Sequence, residues 1–284
     1  MSLDRAAYPL RVRTRSRLIQ ALRNRFLPEF RLPLNVDEGV LPFDANDQLA
    51  IVLAKEQFES DELTAFMRML PFARNVLDVG ANFGLYTLLA SRRMETGGTV
   101  VAFDASPVEF EKLLWTIRRN CLTNVIPVLT AVGGADGMVT IHESLSGSGA
   151  LNRLDHPALE TGRWRATQIP ITSLDLWLER YRQSPVDLIK VDVEGSELPV
   201  VVGARRLLER ERPVILIEMA EKRASTESDP RRVWEFLSAA GYMWYSIRKG
   251  GREAMRVTDW RGHPNLVAVP ESGGNRKMIK SFIG

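Results

Sequence analysis

The chain has 284 residues, 45% hydrophobic and 26% charged, with a formal net charge of +3. That is apolar material enough for one large α/β domain, and too little net charge to read the whole chain as a nucleic-acid binder. A single cysteine, Cys121, excludes an intrachain disulfide and a thiolate zinc cluster; His142, His156 and His263 are too widely spaced to suggest a histidine-built metal site; and no apolar run approaches the ~18 residues that span a bilayer.

Eight arginines, from Arg5 to Arg31, crowd the first 31 residues against only Asp4 and Glu29. Such a stretch reads first as a solvated helical extension; it also suits contact with a membrane surface or an anionic acceptor and, less well, an organelle transit peptide. The opening MSLDRAAYPLRVRTRSR has no apolar segment of the secretory kind, so a cytoplasmic setting is expected. We divide the chain into a basic extension, 1–57, and one α/β domain, 58–284.

Regular patterning starts near residue 58. Ser60 can cap a helix that carries Asp61 and Glu62 in its first turn, where negative charge suits the dipole. Asn75–Val79 reads as a buried strand, followed by a glycine-bearing turn and a helix over Tyr86–Arg93. Thr99–Asp104 is a second strand, Pro107 opens a helix running to Asn120, and Val125–Leu129 is a third strand. Val132–Glu143 carries GGADG and reads as a loop or hairpin. Ser144–Arg165 is polar and aperiodic, the longest irregular stretch, and its Ser146–Gly149 segment suits a substrate loop better than a phosphate cradle. A Thr-x-x-Asp pattern at Thr172 and Asp175 opens a helix to Arg180. Val186–Val191 (strand), Ser196–Leu208 (helix), Pro213–Met219 (strand), Pro230–Ala240 (helix) and the strands Tyr242–Ile247 and Asn265–Val269 complete the pattern. Alternation of strands and helices predicts a mostly parallel sheet with helices on both faces.

The segment Val76–Gly84 (VLDVGANFG) puts Asp78 at a strand end, then Gly80 and Gly84 in the turn before a helix. Ligands bind at the carboxyl ends of such strands, and glycines let backbone approach closely. The turn lacks the G-x-G-x-x-G spacing of a dinucleotide site, and its carboxylate would repel a pyrophosphate. A carboxylate suits a ligand with a cationic amino group. Asp104 ends the second strand 24 residues after Gly80, where an acidic residue commonly accepts hydrogen bonds from ribose hydroxyls.

At these residues the chain resembles the FkbM family of S-adenosylmethionine-dependent methyltransferases. Five blocks carry the resemblance in family order: VLDVGANFGLYT (Val76–Thr87), AFDASPVEFEKLLWTIRRN (Ala102–Asn120), DLIKVDVEGSELPVVVGARRLL (Asp187–Leu208), RPVILIEMA (Arg212–Ala220) and NLVAVP (Asn265–Pro270). One departure is Asp104-Ala105, where the family commonly has glutamate and proline; aspartate still accepts two ribose hydrogen bonds but is one methylene shorter. The resemblance implies a class I methyltransferase (Rossmann-like) fold: a seven-stranded, mostly parallel sheet whose last strand runs antiparallel beside its hairpin partner, here Tyr242–Ile247 with Asn265–Val269. It implies S-adenosyl-L-methionine as cofactor, with Asp78, Gly80, Asn82, Gly84, Tyr86, Asp104 and Ser106 on the cofactor side.

Methyl transfer from a sulfonium to a hydroxyl is an in-line displacement, and an aliphatic hydroxyl needs a base or a metal to assist it. Lys190, Asp192 and Glu194 follow one another at period two at the end of one strand, and Glu218 ends the next. Lys190, inside an apolar strand, is expected to pair with a carboxylate. Asp192 is the favoured catalytic residue, with Lys190 and Glu218 beside it. Glu218 reads equally as a residue facing the site or capping the turn. Glu194 fits a role in the turn with Gly195, and Glu197 reads as a first-turn helix carboxylate. Asp192 and Glu218 could together hold Mg2+, though two carboxylates are a thin oxygen set. His263 is a second candidate base, and Trp164, Trp244 and Trp260 could line an acceptor pocket or simply pack. The expected activity is O-methylation of a natural product or sugar. Methylation of nitrogen or of a carboxylate, and non-catalytic cofactor binding, stand as alternatives. The expected partner is a small-molecule or glycan acceptor, not nucleic acid.

Overall fold

The computed structural model describes residues 32–36, 38–43, 60–144, 164–181, 185–219, 230–248 and 250–283. The arginine-rich stretch 1–31 and the Ser146–Gly149 segment lie outside the described residues. β1 (Leu32–Val36) and β2 (Gly39–Phe43) form an antiparallel hairpin. Val36 and Leu41 are buried in the domain core, and Asn120 exchanges hydrogen bonds with both the N–H and the carbonyl of Val40, each 2.7 Å. The β1–β2 hairpin, expected from the sequence to belong to the extension, is therefore docked on the domain.

From α1 (Ser60–Met69) the chain runs through β3 (Asn75–Val79), α2 (Leu85–Arg93), β4 (Thr99–Asp104), α3 (Pro107–Arg119) and β5 (Val125–Leu129). β3 lies between parallel neighbours and is buried on both faces after its first residue, which is why NVLDV reads as a continuous rather than alternating strand. α3 begins as its sequence predicts: Ser106 Oγ accepts the N–H of Glu109 at 3.2 Å and Pro107 occupies the first turn.

β6 (Ala131–Val132), β7 (Gly137–Ser144) and β8 (Trp164–Thr172) then form a separate small sheet, in the order β6-β8-β7. Of Val132–Glu143, Val132 ends β6 and Gly137–Glu143 lies in β7, which pairs antiparallel with β8; β8 occupies sequence in which periodicity marks no element. Its even positions are mostly exposed although Trp164, Ala166 and Pro170 stand among them, and only Ile169 and Ile171 are apolar at odd positions, so the alternation is faint. α4 (Leu174–Tyr181) starts after Ser173, whose Oγ accepts the N–H of Leu176 at 3.3 Å. The expected cap at Thr172 is corrected: the Thr172 hydroxyl is instead 2.6 Å from Asp136.

β9 (Leu188–Val191) is followed by α5 (Glu197–Val202) and α6 (Arg205–Arg210), not by one continuous helix. The break falls at Gly203, where an added Cβ would sit 2.0 Å from the carbonyl oxygen of Gly133. Asp175 supplies the new amino terminus, its carboxylate accepting the N–H groups of Arg206 and Leu207 at 2.8 and 2.9 Å. β10 (Val214–Glu218), α7 (Pro230–Ala239), β11 (Tyr242–Arg248), β12 (Glu253–Val257), β13 (Asn265–Pro270) and α8 (Arg276–Ile283) complete the described chain.

The main sheet has the order β12-β11-β13-β10-β9-β3-β4-β5. β13 is inserted antiparallel between β10 and β11, the arrangement that the resemblance implies for a class I methyltransferase. The expected seven strands are corrected to eight: β12 adds antiparallel to β11 and forms the sheet edge. One face of the sheet packs Val76, Leu216 and Val267 against α1, α2 and α8 through residues such as Phe66, Leu88 and Phe282; the other packs Leu77, Ile189 and Ile215 against Trp177, Leu207 and Leu237. α8, which the sequence pattern does not announce, buries Met278, Ile279 and Phe282 on the first face. No helix among the described residues is long and apolar enough to cross a membrane.

Candidate active site

The strand order reverses between β3 and β9, and the sequence candidates gather at the carboxyl ends of β4, β3, β9 and β10. Asp78 lies in register with Lys190 on the adjacent strand. Its Oδ2 accepts the Thr87 hydroxyl at 2.6 Å, while Oδ1 is buried with no hydrogen-bond partner. Burial raises the Asp78 pKa against the opposing pull of the Lys190 ammonium and the Thr87 hydrogen bond. An orphaned carboxylate oxygen of this kind is satisfied by a cationic N–H donor.

The turn after β3 is welded to both neighbouring strands. The N–H groups of Gly80 and Ala81 converge on the Phe103 carbonyl at 3.0 and 2.9 Å, and the Asp192 N–H donates to the Val79 carbonyl at 3.0 Å. Gly80 has φ +82°, and an added Cβ would lie 1.8 Å from the Asp192 carbonyl oxygen. At Gly84, φ +90°, the Cβ would meet Leu113 of α3 at 2.8 Å. Both glycines are required by contacts inside the protein, a reason distinct from the ligand approach expected from sequence. Asn82, φ +51°, donates its N–H to Asp104 Oδ2 at 2.7 Å, and the Ser106 N–H donates to Asp104 Oδ1 at 2.8 Å. Each Asp104 oxygen thus keeps a lone pair for a further donor. Burial pushes Asp104 up to about 7 despite these two backbone hydrogen bonds.

Lys190 is 5% exposed, 2.8 Å from Asp192 Oδ2 and 4.4 Å above the centroid of the Tyr86 ring. The expected pairing of Lys190 with a carboxylate is what the geometry shows, and Tyr86 sits under the ammonium, packed edge-on against Phe66. Asp192 keeps 27% of its side chain exposed. Glu218 Oε2 is buried without a hydrogen-bond partner. Burial, then the negative charges of Asp192 and Glu197, push Glu218 up to about 9, with a hydrogen bond to Asp192 acting in the same direction. Glu218 therefore carries a proton at neutral pH and lies against Asp192.

The turn after β9 is held by Glu197, for which the sequence suggests only a helix-dipole role. Its Oε1 accepts the N–H groups of Gly195 (3.1 Å) and Val193 (3.4 Å), while Glu194 and Gly195 take positive φ. Burial raises the Glu197 pKa. His263 lies in the loop before β13, whose Pro264 carbonyl accepts the Met219 N–H at 2.6 Å beyond the end of β10. Trp244 is core: it stacks on Trp234 at 4.7 Å and its Nε1 donates to Ser238. Trp164 ends the small sheet, and Trp260 lies against Arg261. Among the described residues no three His, Cys, Asp or Glu side chains are grouped so as to hold a metal ion.

The sequence model of the Methyltransferase FkbM domain matches residues 78–243, more than half of the chain. The chain belongs to the FkbM methyltransferase family. The matched span of this FkbM protein contains Asp78, Asp104, Lys190, Asp192 and Glu218, so the whole cluster lies within it. No functionally curated protein matches the chain. Among solved structures it is similar to the methyltransferase FkbM from Methylobacillus flagellatus, at 13% identity and TM-score 0.45, over 89% of this chain and 58% of that one. The chain thus spans a little under three fifths of that protein's length. It is also similar to an O-methyltransferase from Bacillus cereus solved with SAH (18% identity, TM-score 0.46, 90% of this chain and 97% of that one). A third similar structure is the O-methyltransferase TomG from Streptomyces achromogenes solved with SAM (14% identity, TM-score 0.43, 74% and 79%).

Proposed function

We propose that the protein is an S-adenosylmethionine-dependent O-methyltransferase in which Asp192 is the general base. The observation that carries this reading is the placement of a partly exposed Asp192 carboxylate, braced by Lys190, one strand away from the orphaned oxygen of Asp78. The residues fit the cofactor. Asp78 Oδ1 would take its amino group, the free lone pairs of Asp104 its ribose hydroxyls, and the bound sulfonium would supply both the methyl group and the leaving group. On the acceptor side, Asp192 takes the hydroxyl proton as the new carbon–oxygen bond forms. Lys190 fixes one Asp192 oxygen, and Glu218, protonated at neutral pH, leaves Asp192 as the base of the pair.

The charge of the cluster also bears on the acceptor. The ionised, partly exposed Asp192 would repel a carboxylate acceptor, which disfavours carboxyl methylation, and a neutral hydroxylated metabolite or sugar meets no such penalty. Among the described residues a Mg2+ ion would find only Asp192 and Glu218, so the direct base is the reading we carry. A small-molecule or glycan acceptor in a cytoplasmic setting completes it.

Labelled cofactor incubated with fractionated hydroxylated metabolites would identify an acceptor. Asp192→Asn should then lower turnover by ~100-fold or more, with little change in S-adenosylhomocysteine affinity. Normal turnover of this variant at saturating acceptor would overturn the assignment. Activity lost to EDTA and restored by Mg2+ would replace the base with a metal.

A further inference from the structure

Away from the Lys190–Asp192 cluster the structure buries a highly bonded carboxylate, Glu143. Glu143, at the end of β7 in the small sheet, is 2% exposed. Its Oε1 accepts the Ser106 hydroxyl at 2.6 Å. Its Oε2 accepts a two-pronged contact from Arg165 on β8, Nε at 2.9 Å and Nη2 at 2.8 Å, and a longer one from the Thr167 hydroxyl at 3.3 Å. Such bidentate, charge-assisted contacts fix orientation as well as adding energy.

Ser106 is the pivot. Its hydroxyl hydrogen goes to Glu143, which leaves its oxygen to cap α3 by accepting the Glu109 N–H. Its backbone N–H goes to Asp104 Oδ1, and the other Asp104 oxygen takes the Asn82 N–H from the turn after β3. The chain of contacts therefore runs from Arg165 through Glu143, Ser106 and Asp104 to Asn82. It joins the small sheet to the turn, and Ala105, between the two acceptors, packs on the Ala131–Ile141–Ile169 cluster of that sheet. Without Glu143 the Ser106 hydroxyl would be a buried donor without its acceptor, and the neighbouring carboxylate is Asp104.

We propose that Glu143, held by Arg165, is a positioning residue for the ribose side of the cofactor site. It fixes Ser106 so that the free lone pairs of Asp104 stay directed at the ribose hydroxyls. The inference rests on the cofactor reading under the proposed function. The small sheet, on this view, is part of the binding apparatus.

The test uses the full chain and calorimetry with S-adenosylhomocysteine and with its 2′,3′-dideoxy analogue. Wild type should bind the parent compound more tightly than the analogue; failure to bind either would sink the cofactor reading and not this inference alone. Glu143→Gln should weaken S-adenosylhomocysteine about tenfold, as expected for loss of one charge-assisted contact, and leave the analogue nearly unaffected. The ratio between the two ligands should therefore collapse. Arg165→Ala, at a half-exposed position, is the second variant and should shrink the ratio in the same direction. Ile141→Val, a core change in the same sheet, should lower the melting temperature and leave the ratio intact. An unchanged ratio in both Glu143→Gln and Arg165→Ala, or an equal collapse in Ile141→Val, would overturn the proposal.

Discussion

Replacing Gly80 by alanine tests whether the turn after β3 and the catalytic strand end form one rigid unit. Two costs separate cleanly, because Gly97 provides an internal reference. Gly97 has φ +81° with nothing within 4 Å of an added Cβ; Gly80 has φ +82° with the Asp192 carbonyl oxygen 1.8 Å away. Gly97→Ala therefore measures the left-handed backbone cost alone, ~1–2 kcal/mol. Gly80→Ala carries the same cost and must also push a backbone carbonyl back by more than an ångström. That motion pulls Asp192 away from the Val79 carbonyl, a 3.0 Å hydrogen bond worth ~1 kcal/mol net, and disturbs its 2.8 Å contact with Lys190. A total of ~3 kcal/mol or more results, and at ~2–4 °C per kcal/mol for a domain of this class the melting temperature should fall by ~6–12 °C. Scanning calorimetry of the two variants beside wild type reads the difference directly, and methyl transfer by Gly80→Ala should fall with the displaced Asp192. A melting temperature for Gly80→Ala within ~2 °C of Gly97→Ala would refute the claimed contact and the coupling built on it.

Two further polar groups give expected outcomes. Asp104 is raised from 3.8 to about 7, so on its own it favours the folded state at acid pH, an advantage complete below about 4 and lost as pH rises to about 7. Ribose hydroxyls favour the ionised carboxylate, so S-adenosylhomocysteine should bind more tightly at pH 8 than at pH 6, by up to about tenfold per unit below the transition; a flat profile would remove Asp104 from the ribose. Arg68 of α1 reaches the carbonyls of Gly251, Arg252 and Ser281 at 3.1, 2.6 and 2.5 Å, tying α8 and the β11–β12 turn to the body of the domain. Arg68→Met should cost ~2 kcal/mol of stability and leave S-adenosylhomocysteine affinity unchanged, and an unaltered melting curve would show that these contacts contribute nothing in water.

Short-range chemistry made much of the fold legible in the sequence. The apolar runs of β3, β4, β9 and β10 are continuous because each lies between strands and under helices, and the Ser106–Pro107 start of α3 is a local cap. The features that escaped are set by contacts distant in sequence. The helix break at Gly203 exists because Gly133 lies against it and Asp175 caps α6, two facts invisible to a window of neighbouring residues. β8 is stabilised by pairing with β7, and its own alternation is weak. α8 occupies only eight residues and is defined by burial on α1. Strand ends and spacing were enough to place Asp78, Asp104, Lys190 and Asp192 together at neighbouring strand ends, where the structure has them. Glu143 escaped, because the residues that give it meaning, Ser106 and Arg165, lie 37 and 22 positions away.

The electrostatics of the cluster suggest how the edge of the sheet tolerates so many acids. Asp78, Asp192 and Glu218 each interact with the Lys190 ammonium, and Glu197 faces the charge of Asp192. Three of the four, Asp78, Glu197 and Glu218, have raised pKa values, and in each case burial is the leading cause. Burial thus works against charge on these three carboxyls, Glu218 furthest of all, and Lys190 pairs with the Asp192 carboxylate. On the proposed reading, a cofactor bearing both an ammonium and a sulfonium supplies positive charge that favours the ionised carboxylates against this cost of burial. Loss of the methyl group removes the sulfonium charge, so the same cluster that favours entry of the charged cofactor holds the neutral thioether product less strongly. The acid-rich strand ends then serve two steps with one arrangement: they attract the cation before transfer and weaken their grip after it.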